Sequence, residues 1–98
     1  MIQSFRDRWL RDFYLKDKTS RKIPAEVEDR LFRKLQFIDD ATCDLDLRSP
    51  PGTHFEKLRG NLAGKHSIRV NKQWRLVFSG SGERGEAQDI YLDNRDYR

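Results

Sequence analysis

The chain has 98 residues, a length typical of one domain, so a single domain spanning residues 1–98 is predicted. Its six Phe, three Tyr and two Trp residues can fill a small core, which argues against a disordered chain. The single cysteine, Cys43, excludes an internal disulfide, and no Cys/His cluster has zinc spacing. The N-terminal part of the chain contains no long apolar run, so it predicts neither a membrane helix nor a signal peptide. We therefore expect a cytoplasmic protein without a membrane partner.

The net charge of +4 is concentrated in one part of the sequence. Residues 54–78 contain six basic residues against one acid, Glu56, which gives this window a charge of +5. The other 73 residues contain 14 basic and 15 acidic residues and sum to −1. Such a window is typical of a protein that binds a polyanion, although a solvated strand face would have the same pattern. The six basic residues are Lys57, Arg59, Lys65, Arg69, Lys72 and Arg75.

The first quarter of the chain predicts a strand and a helix. MIQSF is typical of a short strand, and Asp7 is a candidate N-cap for the helix that follows. This helix is expected to end near KDKTSRK. Its apolar stripe would consist of Trp9, Leu10, Phe13 and Tyr14.

A second helix is the clearest element in the sequence. It begins near Pro24, because proline suits the first turn of a helix. Phe32 and Phe37 lie off the main stripe and would make a second contact, either within the fold or with another chain. The main stripe, which we expect to pack on a sheet, consists of Val27, Leu31, Leu35 and Ile38.

The second half of the chain predicts a run of strands. After the proline-containing loop ATCDLDLRSPPGTH, FEKLRG is typical of a strand and NLAGK of a turn. SIRVNKQWRLVF has the alternation of a hairpin, and a last strand near AQDIYLDN follows the loop SGSGERGEA. Strands that follow helices with short links predict an α+β fold, with two N-terminal helices packed on a mainly antiparallel, twisted sheet in the order β-α-α-β-β-β-β.

The hairpin spacing determines which side chains share a face. If Val70 pairs with Trp74 across residues 71–73, Arg69 and Arg75 become direct neighbours, whereas a two-residue loop would mix the two faces. Like charges directly opposite each other destabilise a strand pair by a few tenths to about 1 kcal/mol. An anion between the two guanidinium groups would turn this destabilisation into a net attraction. We therefore interpret this face as a phosphate-binding surface. The other face would carry Ile68, Val70, Trp74, Leu76 and Phe78.

Residues 47–80, LRSPPGTHFEKLRGNLAGKHSIRVNKQWRLVFSG, resemble the HigB-like toxins of bacterial toxin–antitoxin pairs, members of the RelE/ParE superfamily. The pattern that carries the resemblance is L-x-G-x-x-x-G-x-x-S-I-R-V-N-x-Q-W-R-L. The predicted order of elements is also similar to that of the superfamily. The resemblance therefore implies a RelE-like fold.

The same resemblance implies a ribosome-dependent mRNA endonuclease that inhibits translation. Such toxins position the RNA 2′-OH for attack on the adjacent phosphate and use no metal or other cofactor. The implied partners are the ribosome, mRNA and a HigA-like antitoxin that neutralises the toxin. That antitoxin usually carries a helix-turn-helix DNA-binding domain, so DNA would be contacted only through it.

Site residues follow from the motif. Arg75 in QWRL matches a superfamily arginine at the scissile phosphate, and Arg69 is the next candidate for phosphate contact. Lys57 and Arg59 match a basic strand that lines the cleft in relatives, and Glu56 lies where some relatives have His and others Glu, which implies a general base. The other candidates for RNA binding are Lys65, Lys72, His54 and His66.

The C-terminus departs from the family pattern. Many relatives end in Asp-Tyr-His, and either residues 93–95 or residues 96–98 of YLDNRDYR correspond to that triplet. Arg95 or Arg98 then replaces the histidine, and arginine can stabilise charge but stays protonated. We include both arginines among the catalytic candidates, together with Tyr97, which could instead stack on a base.

Two other functions remain open. A protein that binds the ribosome or RNA without cutting is favoured by the missing terminal histidine, and a ParE-like gyrase inhibitor would share the superfamily fold. The resemblance also implies a docking surface for the antitoxin. The candidate surface contains Trp9, Phe13 and Phe32, although these aromatic side chains could belong to the core instead.

Overall fold

A computed structural model of the protein describes residues 1–41, 55–80 and 86–94. These residues form two helices, α1 (Arg8–Lys16) and α2 (Glu28–Asp40), and a four-stranded antiparallel sheet. The predicted α+β fold is confirmed. The strands, which lie in chain order across the sheet, are β1 (Glu56–Lys57), β2 (Lys65–Arg69), β3 (Trp74–Ser79) and β4 (Gln88–Asn94).

The first helix begins and ends where the sequence predicts. Asp7 is the N-cap residue, although its side chain makes no capping hydrogen bond. Asp17 ends the helix in a left-handed conformation (φ 56°), a geometry that closes many helices. Leu10 and Phe13 are buried, so the predicted apolar stripe faces the core.

The second helix begins later than predicted. Pro24 precedes a short 3₁₀ turn (Ala25–Val27), and the α-helix begins only at Glu28. Phe37 packs against the core, while Phe32 is 37% exposed and contacts two aromatic rings of α1, so both make the predicted second contact within the fold. The whole main stripe is buried, as predicted: Val27, Leu31, Leu35 and Ile38.

The predicted first strand is not a regular strand. Ile2 and Phe5 form isolated bridges with Ala87 and Ile90, and the segment runs parallel to β4. The sheet is therefore mainly antiparallel, as predicted, and the N-terminal segment beside β4 is its parallel part. This placement puts the first residues of the chain beside the start of the last strand.

The reversal between β2 and β3 has the predicted length. The N–H of Val70 donates to the carbonyl of Trp74 (2.9 Å), which closes a loop of residues 71–73. The side chain of Asn71 accepts hydrogen bonds from the N–H groups of Gln73 (2.8 Å) and Trp74 (2.7 Å). Asparagine thus supplies the local acceptor that fixes this turn.

The main core lies between the helices and one face of the sheet. The strand residues that face the helices include Ile68, Leu76 and Ile90, all of them fully buried. On the other face of the sheet, Ser67 and Val77 are also buried. The second face of the sheet is therefore partly buried and not fully exposed to solvent.

No helix within the described ranges has the length and apolar character needed to cross a membrane.

Candidate functional site

The two opposed arginines lie on the sheet face opposite the packed helices. Arg69 and Arg75 are direct partners in the pairing of β2 with β3, which confirms the predicted register. We call this surface the arginine face. It carries Lys65, Ser67 and Arg69 from β2, Arg75, Val77 and Ser79 from β3, and Tyr91 and Asp93 from β4.

Arg75 is held by a carboxylate that the sequence analysis did not connect with it. The register of β3 and β4 places Asp93 opposite Arg75, whose Nε donates a 2.7 Å hydrogen bond to Asp93 Oδ2. The Arg75 side chain is only 11% exposed, against 33% for Asp93. A charge-assisted hydrogen bond in this position fixes the guanidinium plane, so Arg75 presents its remaining donors in one orientation.

Arg69 is in a different situation. Its Nε is buried and lacks a hydrogen-bond partner within the described part of the chain. A buried donor left unsatisfied costs about 1–3 kcal/mol. An oxyanion between the two arginines would offset the repulsion between the two cations. The geometry therefore suits a phosphate group bound between Arg69 and Arg75.

A β-bulge in β4 brings together a second group of charged side chains. Asp89 adopts a left-handed backbone conformation (φ 55°) where the register of β3 and β4 shifts. Arg6 donates two hydrogen bonds to the Asp89 carboxylate, of 3.2 Å from Nε and 2.7 Å from Nη2, and Lys65 Nζ lies 3.3 Å from Asp89 Oδ2. The Arg6 guanidinium also lies 3.9 Å from the centre of the Tyr91 ring. We call Arg6, Lys65, Asp89 and Tyr91 the Asp89 cluster.

Hydrogen bonding within the Asp89 cluster keeps its ion pair charged. The hydrogen bonds from Arg6 lower the pKa of Asp89 below its ordinary value. The same hydrogen bonds raise the pKa of Arg6. Both side chains therefore remain ionised at neutral pH.

The remaining candidate residues are spread over several surfaces, and one of them lies on the arginine face. Glu56 lies on the arginine face, at the edge of the sheet, and its side chain is exposed. Lys57, the next residue, projects from the opposite face. Arg59 precedes β2 and Lys72 follows it, and both are exposed. The candidates that lie outside the described residues, and whose roles stay predictions, are His54, Arg95, Tyr97 and Arg98.

His66 lies among aromatic side chains. Its ring stacks on Phe55, with 5.1 Å between the ring centres, and contacts Phe78 at 6.0 Å. Phe78 is also its partner in the β2–β3 register, so His66 faces the core side of the sheet. Because the arginines lie on the other side, we leave His66 and Lys57 out of the proposed RNA surface.

The aromatic side chains of the candidate antitoxin surface differ in accessibility. Phe13 is buried and Trp9 is half-buried against the core, whereas Phe32 is exposed. Phe13 and Phe32 line a groove of about 290 Å³ between the end of α1 and the start of α2. The rim of this groove is mainly acidic and includes Asp17, Glu28 and Asp29.

The arginine face can bind and stabilise negative charge, but its two arginines cannot exchange protons near neutral pH. Glu56 is the exposed carboxylate at its edge. Within the described ranges, no group of three or more His, Cys, Asp and Glu side chains forms a candidate metal site.

Comparison with known proteins gives a consistent result. Residues 3–95 match the HigB-like toxin family, described as the RelE-like toxin of the type II toxin–antitoxin system HigB. The chain is 50% identical to Toxin HigB-1 of Vibrio cholerae over 97 residues, which are 99% of this chain and 100% of that protein. It is 41% identical to an uncharacterized protein of Haemophilus influenzae over 97% of this chain and 92% of that protein. It is also 35% identical to Endoribonuclease HigB of Proteus vulgaris over 80% of this chain and 83% of that protein.

Proposed function

Because the chain belongs to the HigB-like toxins, the RelE-like toxins of type II toxin–antitoxin systems, we propose that it is an endoribonuclease that cuts mRNA on the ribosome and so inhibits translation. The endonuclease activity is supported by the 35% identical Endoribonuclease HigB. The observation that carries the proposal is the direct pairing of Arg69 with Arg75 on the sheet face opposite the helices.

The proposed reaction is attack of an RNA 2′-oxygen on the adjacent phosphorus. A bond forms from the 2′-oxygen to phosphorus and the bond to the 5′-oxygen breaks, which leaves a 2′,3′-cyclic phosphate and a 5′-hydroxyl. Arg75 and Arg69 donate to the non-bridging oxygens, on which negative charge increases in the transition state. Asp93 acts as a positioning residue, because it orients Arg75 through the 2.7 Å hydrogen bond.

Two proton transfers complete the reaction. A base must accept the proton of the 2′-hydroxyl, and an acid must protonate the departing 5′-oxygen. We assign Glu56 as the candidate base, because it lies at the edge of the arginine face. Tyr97 is the candidate acid, and Arg95 and Arg98 are candidates for charge stabilisation. No metal or other cofactor takes part in this proposal.

The family implies an antitoxin partner. We propose a HigA-like antitoxin with a helix-turn-helix domain, which docks on the acid-rimmed groove at Phe32, with Trp9 on α1 as a further candidate contact. Phe13 would contribute only as the floor of this groove, because it is buried. Since translation takes place in the cytoplasm, the proposed site of action is cytoplasmic.

The test is controlled expression of the wild-type chain, Arg75→Ala and Arg11→Ala, followed by mapping of mRNA 5′ ends. We expect cuts within translated codons for the wild type and Arg11→Ala, and none for Arg75→Ala. The new ends should accept an adapter only after treatment with a kinase, because the proposed chemistry leaves a 5′-hydroxyl.

Other outcomes would favour the alternatives. Arrested translation without new ends would favour a non-cleaving ribosome binder, a function that the arginine in place of the family's terminal histidine also supports. Normal translation with altered DNA supercoiling would favour a gyrase inhibitor. Either result would overturn the endonuclease proposal.

A further inference from the structure

The Asp89 cluster is built from distant parts of the sequence. Arg6 comes from the N-terminal segment, Lys65 from β2, and Asp89 and Tyr91 from β4. The left-handed backbone of Asp89 is held by Ser4, whose Oγ accepts the Asp89 N–H at 2.9 Å. Bulges of this kind are used to re-aim a side chain, and here the bulge directs one carboxylate at two cations.

The charges of the cluster do not cancel. Two cations share one carboxylate, which leaves a local charge of +1. Arg6 has five N–H donors, of which Asp89 accepts two, and Lys65 has three donors, of which Asp89 accepts one. The Arg6 side chain is 44% exposed. Arg6 also has a hydrogen-bond interaction with Tyr91, and the Lys65 side chain is 21% exposed. The donors that remain on both side chains are available to a further acceptor.

The cluster is already ordered before any ligand binds. Asp89 holds the Arg6 guanidinium at two points, and the Tyr91 ring supports it from below at 3.9 Å. An arginine fixed in this way loses little side-chain entropy when it binds a phosphate.

The cluster is also too far from the arginine pair to share one phosphate with it. The Cα atoms of Lys65 and Arg69, four residues apart on one strand, are about 13 Å apart at the usual rise of a β-strand. Asp89 also holds the Lys65 ammonium at the Ser79 end of the sheet, 3.3 Å from its carboxylate and away from Arg69. Charge-assisted hydrogen bonds to phosphate oxygens are only about 2.7–2.9 Å long. Any phosphate at the cluster would be a different one from that between Arg69 and Arg75.

From these observations we propose that Arg6 and Lys65 form a second phosphate subsite on the arginine face, which binds an RNA backbone phosphate away from the cut. This inference rests on the proposed function, since it names a further contact to the same RNA. Asp89 and Tyr91 are positioning residues in this subsite.

A purely structural role for Arg6 makes a different prediction. If Arg6 only ties the N-terminal segment to β4, its removal lowers stability but leaves RNA binding with the same salt dependence. If Arg6 binds a phosphate, its removal changes how RNA binding depends on salt. The slope of the logarithm of the RNA-binding constant against the logarithm of the salt concentration becomes less negative by about 0.7, the value for one phosphate of a single strand.

The experiment measures binding of a fluorescent, 2′-O-methylated RNA oligonucleotide by anisotropy at several salt concentrations, because this RNA cannot undergo the proposed attack. Wild type, Arg6→Ala, Arg6→Lys and Lys65→Ala are compared. The matched control is Arg11→Ala, because Arg11 on α1 has the same 44% exposure and its removal changes the charge equally. Melting temperatures are measured for every variant.

We expect several-fold weaker binding at low salt and a shallower salt slope for Arg6→Ala and Lys65→Ala, while Arg6→Lys and Arg11→Ala keep the wild-type slope. An unchanged slope in Arg6→Ala, with only a lower melting temperature, would overturn the inference. The endonuclease proposal would survive that result if wild type still cuts mRNA and Arg75→Ala does not. Conversely, the salt slope could depend on Arg6 although the wild-type protein cuts no mRNA. That result would support the subsite and overturn the endonuclease proposal.

Discussion

The paired arginines have unequal environments, and this difference separates their effects on stability from their effects on function. Arg75 is an ordered cation with a carboxylate partner, whereas Arg69 adds a second positive charge with an unsatisfied Nε in the described structure. Residues that destabilise the free protein in this way are common at binding sites, because the ligand supplies the missing counter-charge.

Replacing Arg69 should therefore stabilise the protein. We expect Arg69→Gln to raise the free energy of unfolding by a few tenths to about 1 kcal/mol, since it removes the repulsion across the strand pair. Arg75→Gln should lower it by about 1–3 kcal/mol, because Asp93 loses its ionic hydrogen bond. Urea unfolding of both variants measures these changes, and both should bind RNA more weakly. Equal signs for the two changes in stability would contradict this interpretation.

The ion pair of Arg6 and Asp89 should make stability depend on pH at the acid end. The folded-state pKa of Asp89 is lowered from an ordinary value of 3.8, so the stabilisation is fully present above that pH. It is lost as the pH falls through the lowered value. We expect Asp89→Asn to melt below wild type at pH 7, with a difference that shrinks as the pH falls below about 4. A difference that stays constant down to pH 2 would show that the carboxylate's charge is not the cause.

At the scale of elements, the sequence predicts the hairpin better than the rest of the sheet. The alternation in SIRVNKQWRLVF and the three-residue loop determine the register locally, so the opposition of Arg69 and Arg75 could be inferred before the structure was available. The same register also implied that His66 faces Phe78, which separates His66 from the arginines. The position of His66 on the core side of the sheet could therefore be predicted from the sequence pattern.

The pairing of Asp93 with Arg75 could not be inferred in this way. It depends on where β4 lies beside β3, and the bulge at Asp89 shifts that register by one residue. A left-handed aspartate at the second position of a strand has no local sequence signal. Arg6 was missed for a related reason, because its contact with Asp89 spans 83 residues of sequence.

The connection between β3 and β4 contains a glycine that other residues cannot replace without strain. Gly80 has a φ of 150°, and a Cβ atom there would overlap the backbone carbonyl of Glu86. We expect Gly80→Ala to reduce the free energy of unfolding by well over 1 kcal/mol. Gly64→Ala is the matched control, because Gly64 also has a positive φ but open space around it, and it should cost about 1 kcal/mol. Similar losses in thermal unfolding for the two variants would contradict this account.

At the scale of the whole molecule, the two proposed surfaces lie on opposite sides of the sheet. The arginine face points away from the helices, while the groove beside Phe32 lies between α1 and α2. The basic window, residues 54–78, contributes to the arginine face, whereas the rim of the groove is mainly acidic. An antitoxin that docks on the groove would need apolar anchors with basic side chains around them.

This separation predicts that the two activities can be removed independently. Phe32→Glu should weaken binding of the cognate antitoxin at least tenfold, because it places a charge where an apolar anchor is expected, and mRNA cleavage should persist. Asp29→Lys, an exposed rim variant, should weaken binding as well without disturbing the core. Arg75→Ala should do the reverse, with normal antitoxin binding and no cleavage. Calorimetric titration and 5′-end mapping of the same three variants test this, and antitoxin binding that requires Arg75 but tolerates both groove variants would move the docking surface to the arginine face.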